Sequence, residues 1–179
     1  ARRVADSLNI PFYVLNFEEK FKKAVIENFV SEYMSGRTPN PCVLCNSKLK
    51  FHYLMQRAFE IKADYVATGH YARLQKHGRY YSLLKGVDLK KDQSYFLFDI
   101  SRSNFKNILF PLGNYTKSEV RKIAKRASLK VFAKKESQEI RFIPDNEYGR
   151  FIEKYKGAEK TLKRGKFFSV DGKELGEHQ

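Results

Sequence analysis

The stretch Gly36-Arg37-Thr38-Pro39-Asn40-Pro41-Cys42-Val43-Leu44-Cys45-Asn46-Ser47-Lys48-Leu49-Lys50-Phe51 holds both cysteines of the 179-residue chain. Pro39 and Pro41 fix their own φ and push Thr38 and Asn40 toward extended backbone, so no helix begins before Pro41. Cys42 and Cys45 then fall near a helix N-terminus, where the macrodipole and unpaired N–H groups favour thiolate over thiol. Such a pair is half of a metal site, a redox or nucleophilic centre, or simply two small buried apolar residues. Zinc normally takes four ligands, and the other soft donors, His52, His70, His77 and His178, stand at no second-pair spacing. Spacing alone leaves the metal or redox reading and the sulfur-nucleophile reading level.

Two further places hold residues with chemical potential. Gly69-His70 follows an apolar run, and glycine at a strand end lets a ligand approach the backbone while imidazole can meet a phosphate or a base. A lone histidine is more often a hydrogen-bonded structural residue. Lys91-Asp92-Gln93 offers cation, carboxylate and amide together, which suits phosphate and base edges but equally describes a polar helix start.

The elements that must position these residues alternate between strand and helix. Phe12 to Phe17 reads as a buried strand, 18–35 as a helix with Phe21, Ala24, Val25 and Phe29 on one face and Gly36 at its end, and 42–62 as a second helix. Asp64 to Thr68 reads as another buried strand, Tyr71 to Leu84 as a hairpin turning at His77-Gly78, and Asp92 to Phe98 as a short helix. Thr116-Lys117-Ser118-Glu119 is a capping box, opening a helix whose core face is Val120, Ile123, Ala124 and Ala127. Asp145 or Asn146 should cap one more helix through Tyr155. From Lys166 onward, Phe167 to Val170 with Asp171-Gly172 predicts the first hairpin of a β domain. Alternation of this kind predicts an α/β fold with a parallel sheet, whose ligands sit at the carboxyl ends of strands, where Gly69 and His70 fall.

Lysine and arginine number 35 against 20 acidic residues, a formal net charge of +15. Charge alone fits either a solvated lysine-rich surface or a polyanion partner. The clustering of Arg121, Lys122, Lys125 and Arg126, of Lys134 and Lys135, and of Lys160, Lys163, Arg164 and Lys166, with aromatics interleaved, favours nucleic acid. Two cysteines without a secretory pattern argue for a reducing compartment, and no apolar run approaches the roughly 20 residues of a membrane span.

The run TPNPCVLCNSKLKF resembles the signature loop of the bacterial tRNA-specific 2-thiouridylases, ATP-dependent enzymes that place sulfur on the wobble uridine of tRNA. Ala67-Thr68-Gly69-His70-Tyr71-Ala72-Arg73, Lys91-Asp92-Gln93-Ser94-Tyr95-Phe96-Leu97, Phe110-Pro111-Leu112-Gly113 and Glu136-Ser137-Gln138-Glu139-Ile140 extend the resemblance in the family's order. It implies an ATP-pyrophosphatase domain, similar to the adenine nucleotide alpha hydrolases, lacking its N-terminal phosphate loop and followed by the start of a β-rich domain. The expected boundaries are 1–143 for the partial α/β domain, 144–165 for a helix and linker, and 166–179 for the partial β domain, the chain reading as an internal fragment.

Residue by residue, the resemblance implies that Cys45 is the catalytic nucleophile, that Asn40, Pro41 and Cys42 contact the target base, that Gly69 contacts ATP, and that His70, Lys91, Asp92 and Gln93 contact tRNA. ATP with Mg2+ is the implied cofactor set, tRNA and a sulfur-relay protein or cysteine desulfurase are the implied partners, and the implied location is cytoplasmic, away from membranes. Some members are thought to use an iron–sulfur cluster, for which Cys42 and Cys45 would be two ligands of a [4Fe–4S] centre; no other metal site is expected.

Two departures stand out. The family's Ser-Gly-Gly phosphate loop is not in the 179 residues and would lie upstream of Ala1. After Glu139-Ile140, where the family usually carries a persulfide-forming cysteine, this chain has Arg141. A guanidinium cannot carry sulfane sulfur. The alternatives to a sulfurtransferase are therefore a noncatalytic tRNA-binding relative and a metal-binding or iron–sulfur module.

Overall fold

The computed structural model describes residues 1–129, 132, 140, 142–143, 147–156 and 164–178. Arg141, the run Ser137-Gln138-Glu139, the capping residues Asp145 and Asn146, and the basic residues Lys134, Lys135, Lys160 and Lys163 lie outside them. The chain divides into two compact units, one formed by 1–27 with 40–136 and the other by 28–39 with 137–179.

In the first unit, α1 spans Arg2–Ser7 and α2 spans Glu18–Phe21, continued by a π-helical stretch over Lys22–Ile26. The run between them, expected as a buried strand, is not one: Tyr13 and Val14 are 76% and 74% exposed. A strand needs a hydrogen-bonded neighbour, and no described strand pairs with this run. The cysteine segment folds as α4, Pro41–Leu44, then a π-helix over Cys45–Tyr53, then α5, Leu54–Glu60. Pro41 starts it because the first helical N–H has no intrahelical acceptor, so proline loses nothing there.

Strand β1, Val66–Ala67, pairs in parallel with β4, Ile108–Leu109, and Thr68 N–H extends the ladder by donating to Leu109 O at 3.1 Å. This parallel pair is the sheet that the strand–helix alternation predicts. Strands β2, Ala72–His77, and β3, Tyr80–Lys85, form the expected antiparallel hairpin, with Gly78 at φ +56° in its turn. The core of the unit joins Phe51, Met55 and Ala58 of the cysteine helix to Val66, Ala72, Leu97, Phe105, Ile108 and Phe110. Each large side chain buried there contributes about 1.5–3 kcal/mol, so the helix carrying the cysteines is seated by its own opposite face.

The expected helix at Asp92 to Phe98 is only a 3₁₀ turn over Ser94–Leu97, with another over Arg102–Asn107. The last helix of the unit, α6, Lys117–Arg126, has the capping box in full: Glu119 N–H donates to Thr116 Oγ1 at 3.3 Å, and Thr116 N–H donates to Glu119 Oε2 at 2.7 Å. Its expected core face is not buried. Val120 and Ala124 are half-buried, Ala127 is exposed and Ile123 is 44% exposed, because periodicity marks an apolar stripe but not what covers it.

In the second unit, α3, Glu27–Met34, ends at Gly36, φ +72°, as expected for a left-handed cap. Phe29 meets Phe142 edge to face at 5.3 Å and also packs on Tyr148 and Phe151 of α7, Tyr148–Lys156. Strands β5, Gly165–Phe168, and β6, Glu174–His178, make the expected hairpin, closed by Ser169 N–H to Lys173 O at 2.8 Å with Gly172 at φ +80°.

Candidate active site

Asn40 is extended, φ −111° and ψ 88°, as the following proline requires, and Pro41 is buried beneath the first helical turn. Cys42 therefore sits exposed at the second helical position, while Cys45 is half-buried one turn on; neither forms a disulfide. Asn46 is buried and donates from Nδ2 to Phe96 O at 2.9 Å, while its Oδ1 has no protein partner. This bond ties the cysteine helix to the 3₁₀ turn that follows Lys91-Asp92-Gln93. Sequence reasoning missed Asn46; an amide inside an otherwise apolar helix face was its only signal.

Gly69 and His70 follow directly on the carboxyl end of β1. Gly69 is exposed and its missing side chain would meet only Leu112 Cδ1, at 3.6 Å, leaving its backbone open to a ligand. His70 is 8% exposed, lying between Phe51 at 6.0 Å and Phe110 at 5.9 Å. Its Nδ1 lies 2.8 Å from Thr68 Oγ1 and its Nε2 lies 3.4 Å from Lys50 Nζ. An ammonium can only donate, so Nε2 accepts, and the imidazole proton resides on Nδ1 and is given to Thr68. Burial first, and the Lys50 ammonium second, push the His70 pKa from 6.5 down to about 4, keeping the ring neutral at physiological pH.

The 91–94 strip is occupied with holding the hairpin base. Gln93 N–H donates to Tyr71 O at 2.9 Å, and Tyr71 N–H donates back to Gln93 Oε1 at 3.0 Å. Asp92 Oδ1 accepts from Gly86 N–H at 2.8 Å, and its Oδ2 accepts from the Ser94 hydroxyl at 2.8 Å. Burial raises the Asp92 pKa, but the hydrogen bonds from Gly86 and Ser94, aided by the Lys85 ammonium, outweigh it and hold the carboxyl below its ordinary value. Lys91 N–H donates to Asp88 O, and Asp88 Oδ2 accepts from Lys117 N–H at the start of α6. Asp88, unnoticed in the sequence, is thus the joint between this strip and the basic helix.

These bonds bring Cys42, Cys45, Asn40, Pro41, Gly69, His70, Asp92 and Gln93 into one connected framework: Lys50 to His70, Asn46 to Phe96 and Gln93 to Tyr71 are its cross-links. Arg141 lies outside the described residues. Among the described residues no group of three or more His, Cys, Asp or Glu side chains could hold a metal ion, so Cys42 and Cys45 do not by themselves complete a cluster site. Nor is any helix of the described residues long and apolar enough to cross a membrane.

Residues 1–145 match the model of the tRNA methyl transferase HUP domain. The chain is 54% identical to the tRNA-specific 2-thiouridylase MnmA of Geotalea uraniireducens over 180 residues, covering 99% of this chain and 47% of that protein. It is 51% identical to the MnmA of Geobacter metallireducens, covering all of this chain and 48% of the relative, and 49% identical to that of Carboxydothermus hydrogenoformans, covering all of this chain and 49% of the relative. The chain thus spans about half the length of the curated relatives it matches. A HUP-domain match over 1–145, of ATP-pyrophosphatase type with a parallel strand pair, and identity near one half along the whole chain together lead to one conclusion: the chain belongs to the tRNA-specific 2-thiouridylase family.

Proposed function

We propose that the protein carrying this chain transfers sulfur to C2 of the wobble uridine of tRNA at the expense of ATP. The observation that carries the reading is the cross-linked framework of the first unit. It ties the helix that opens with the two thiols, through Lys50 and His70, to the segment that follows a parallel strand, and HUP-type sheets present nucleotides at such strand ends. In this reading ATP adenylates the C2 oxygen: an O–P bond forms and pyrophosphate leaves. The terminal sulfur of a cysteine persulfide, charged by a cysteine desulfurase or sulfur-relay protein, then adds to C2, and AMP departs with the former carbonyl oxygen. The Cys45 thiolate attacks the cysteine-side sulfur; a disulfide to Cys45 forms, the broken S–S electron pair stays on the uridine sulfur as 2-thiouridine, and a thiol reductant reopens the disulfide.

Asn40, Pro41 and Cys42 are then the edge against which the base lies, and Gly69 the backbone along which ATP approaches. Mg2+ would neutralise the triphosphate charge. Lys91, with the free amide edge of Gln93, faces the RNA, while Asp92 holds the strip in shape. Half-buried Cys45 suits a nucleophile shielded from adventitious oxidation, and exposed Cys42 suits a contact residue.

Arg141 favours a second reading, a tRNA-binding relative that does not turn over, because the position lacks the thiol that would carry sulfur. The experiment that separates the two uses the complete gene product. It measures 2-thiouridine in tRNA after incubation with ATP, a desulfurase and cysteine, for the natural protein and for Arg141→Cys. The sulfurtransferase reading expects 2-thiouridine from the natural protein, with the persulfide carried outside position 141; negligible product from the natural protein with a rise of at least tenfold in the variant shows that the carrier must stand at 141 and that the natural protein binds tRNA without turnover. No product from either, with tRNA still bound, leaves the noncatalytic reading standing, and equal product from both shows that sulfur reaches the base without residue 141.

A further inference from the structure

Lys50 is a half-buried lysine for which the described residues supply no counter-charge. It lies within 3.4 Å of His70 Nε2, a neutral acceptor, and no described carboxylate pairs with it. The pairs Arg37–Glu32, Arg57–Glu60 and Lys166–Glu174 do not involve it.

The geometry around it is that of a held cation rather than a stray one. The imidazole that receives Lys50 is fixed on its other side by Thr68 Oγ1 at 2.8 Å, and its ring is wedged between Phe51 and Phe110, so it has no freedom to turn away. Thr68 itself continues the β1–β4 ladder through its N–H. Lys50 is therefore registered to the carboxyl end of β1, next to the exposed backbone of Gly69. It stands five residues beyond Cys45, about one turn of a helix wound with i→i+5 hydrogen bonds.

We propose that Lys50 is a binding residue for a phosphoryl group of the nucleotide, with His70 as the positioning residue that aims its ammonium across the carboxyl end of β1. This rests on the reading above that a nucleotide works at this strand end. It also revises the part His70 is expected to play. With Nδ1 committed to Thr68 and Nε2 to Lys50, His70 has no ring nitrogen left for RNA, and any influence on substrate passes through Lys50. A phosphoryl group fits better than a neutral partner because its oxygens accept the ammonium donors that His70 leaves unused, and because it brings the negative charge that the described residues do not supply.

The test measures the ligand-induced rise in Tm, and the Kd by calorimetry, for the complete gene product with ATP–Mg2+, with inorganic pyrophosphate, and separately with unmodified tRNA. Each variant is referred to its own ligand-free Tm, so a change in bare stability is subtracted. Lys50→Met is expected to weaken ATP and pyrophosphate at least tenfold while tRNA affinity stays within threefold, and Lys50→Arg to restore most of the loss. His70→Leu, which removes the acceptor, should weaken ATP severalfold, and His70→Gln, which returns an oxygen acceptor, should recover it; a purely packing role for His70 would not be rescued by a polar residue in an aromatic wedge. Wild-type ATP affinity in Lys50→Met overturns the inference and leaves the sulfurtransfer reading intact. Loss of tRNA binding with ATP unchanged also overturns it, assigning Lys50 to an RNA phosphate. Failure of the unaltered protein to bind ATP at all sinks both together.

Discussion

Acid should loosen this fold through one residue before its carboxylates matter. His70 titrates at 6.5 when exposed and at about 4 in the folded chain, the cause being burial first and the Lys50 ammonium second. Between those two pH values the unfolded state holds a proton on this residue that the folded state does not, so stability rises with pH across the window and is lost as pH falls from 6.5 toward 4. At 1.36 kcal/mol per pH unit the full loss is about 3 kcal/mol, a large share of the roughly 5–15 kcal/mol that a domain has. The perturbation that isolates it is His70→Gln, which keeps an oxygen acceptor for Lys50 but cannot titrate. Urea unfolding of both proteins from pH 7.5 to pH 4 should give curves of stability against pH that converge by about 3 kcal/mol on acidification, the variant being the flatter. Carboxylates such as Asp92, with depressed pKa values, contribute equally to both and cancel. Lys50→Met should narrow the window only in part, since burial is the larger cause. Parallel curves for wild type and His70→Gln, or a His70 Cε1 proton that titrates near 6.5 by NMR, would refute the reasoning.

Two further outcomes follow from local geometry. A Cβ on Gly113 would lie 1.8 Å from Ala72 O and 2.7 Å from Ala72 C, backbone that cannot retreat without breaking β2, so Gly113→Ala should cost about 3 kcal/mol and lower Tm by roughly 6–12 °C. Gly69→Ala, which meets only Leu112 Cδ1 at 3.6 Å, is the contrast and should change stability by less than about 0.5 kcal/mol; equal losses in the two would show that the loop below β2 is not packed as described. The cysteines should separate by role and by access: Cys45→Ser abolishes 2-thiouridine formation, by a factor of about 10³ or more, in a protein made competent by Arg141→Cys, and Cys42→Ser leaves a measurable rate. A bulky maleimide should meanwhile label exposed Cys42 first. Equal loss of activity from both serine variants would favour a shared cluster over a single nucleophile.

What was legible in the sequence was whatever is decided within a few residues. The capping box at Thr116 and Glu119, the left-handed Gly36 and Gly78, the proline-opened cysteine helix and the Asp171-Gly172 hairpin are all local, and all are found where they were expected. Burial is decided by what lies opposite, and there the reading failed: Phe12 to Phe17 has strand composition but no described neighbour, and the apolar stripe of α6 has Ile123 largely open to solvent. For the site residues the structure adds the hydrogen bonds their side chains make. Motif resemblance marks Asp92, Gln93 and His70 as residues that touch RNA, but a motif cannot show that their polar atoms are already engaged.

That engagement limits what each can offer a ligand. Asp92 accepts through both oxygens, from Gly86 and Ser94, so its carboxylate is engaged in shaping the hairpin base. Gln93 has committed its Oε1 to Tyr71 N–H, which fixes the amide orientation and turns its NH2, a donor, toward whatever approaches. His70 has both nitrogens committed. Of the three, Gln93 alone therefore keeps a polar group uncommitted in these bonds, a donor, and the neighbouring Lys50 adds another. Donors are what the phosphates of the proposed nucleotide and RNA would need to meet, and the hydrogen bonds inside the protein decide which groups remain to offer them.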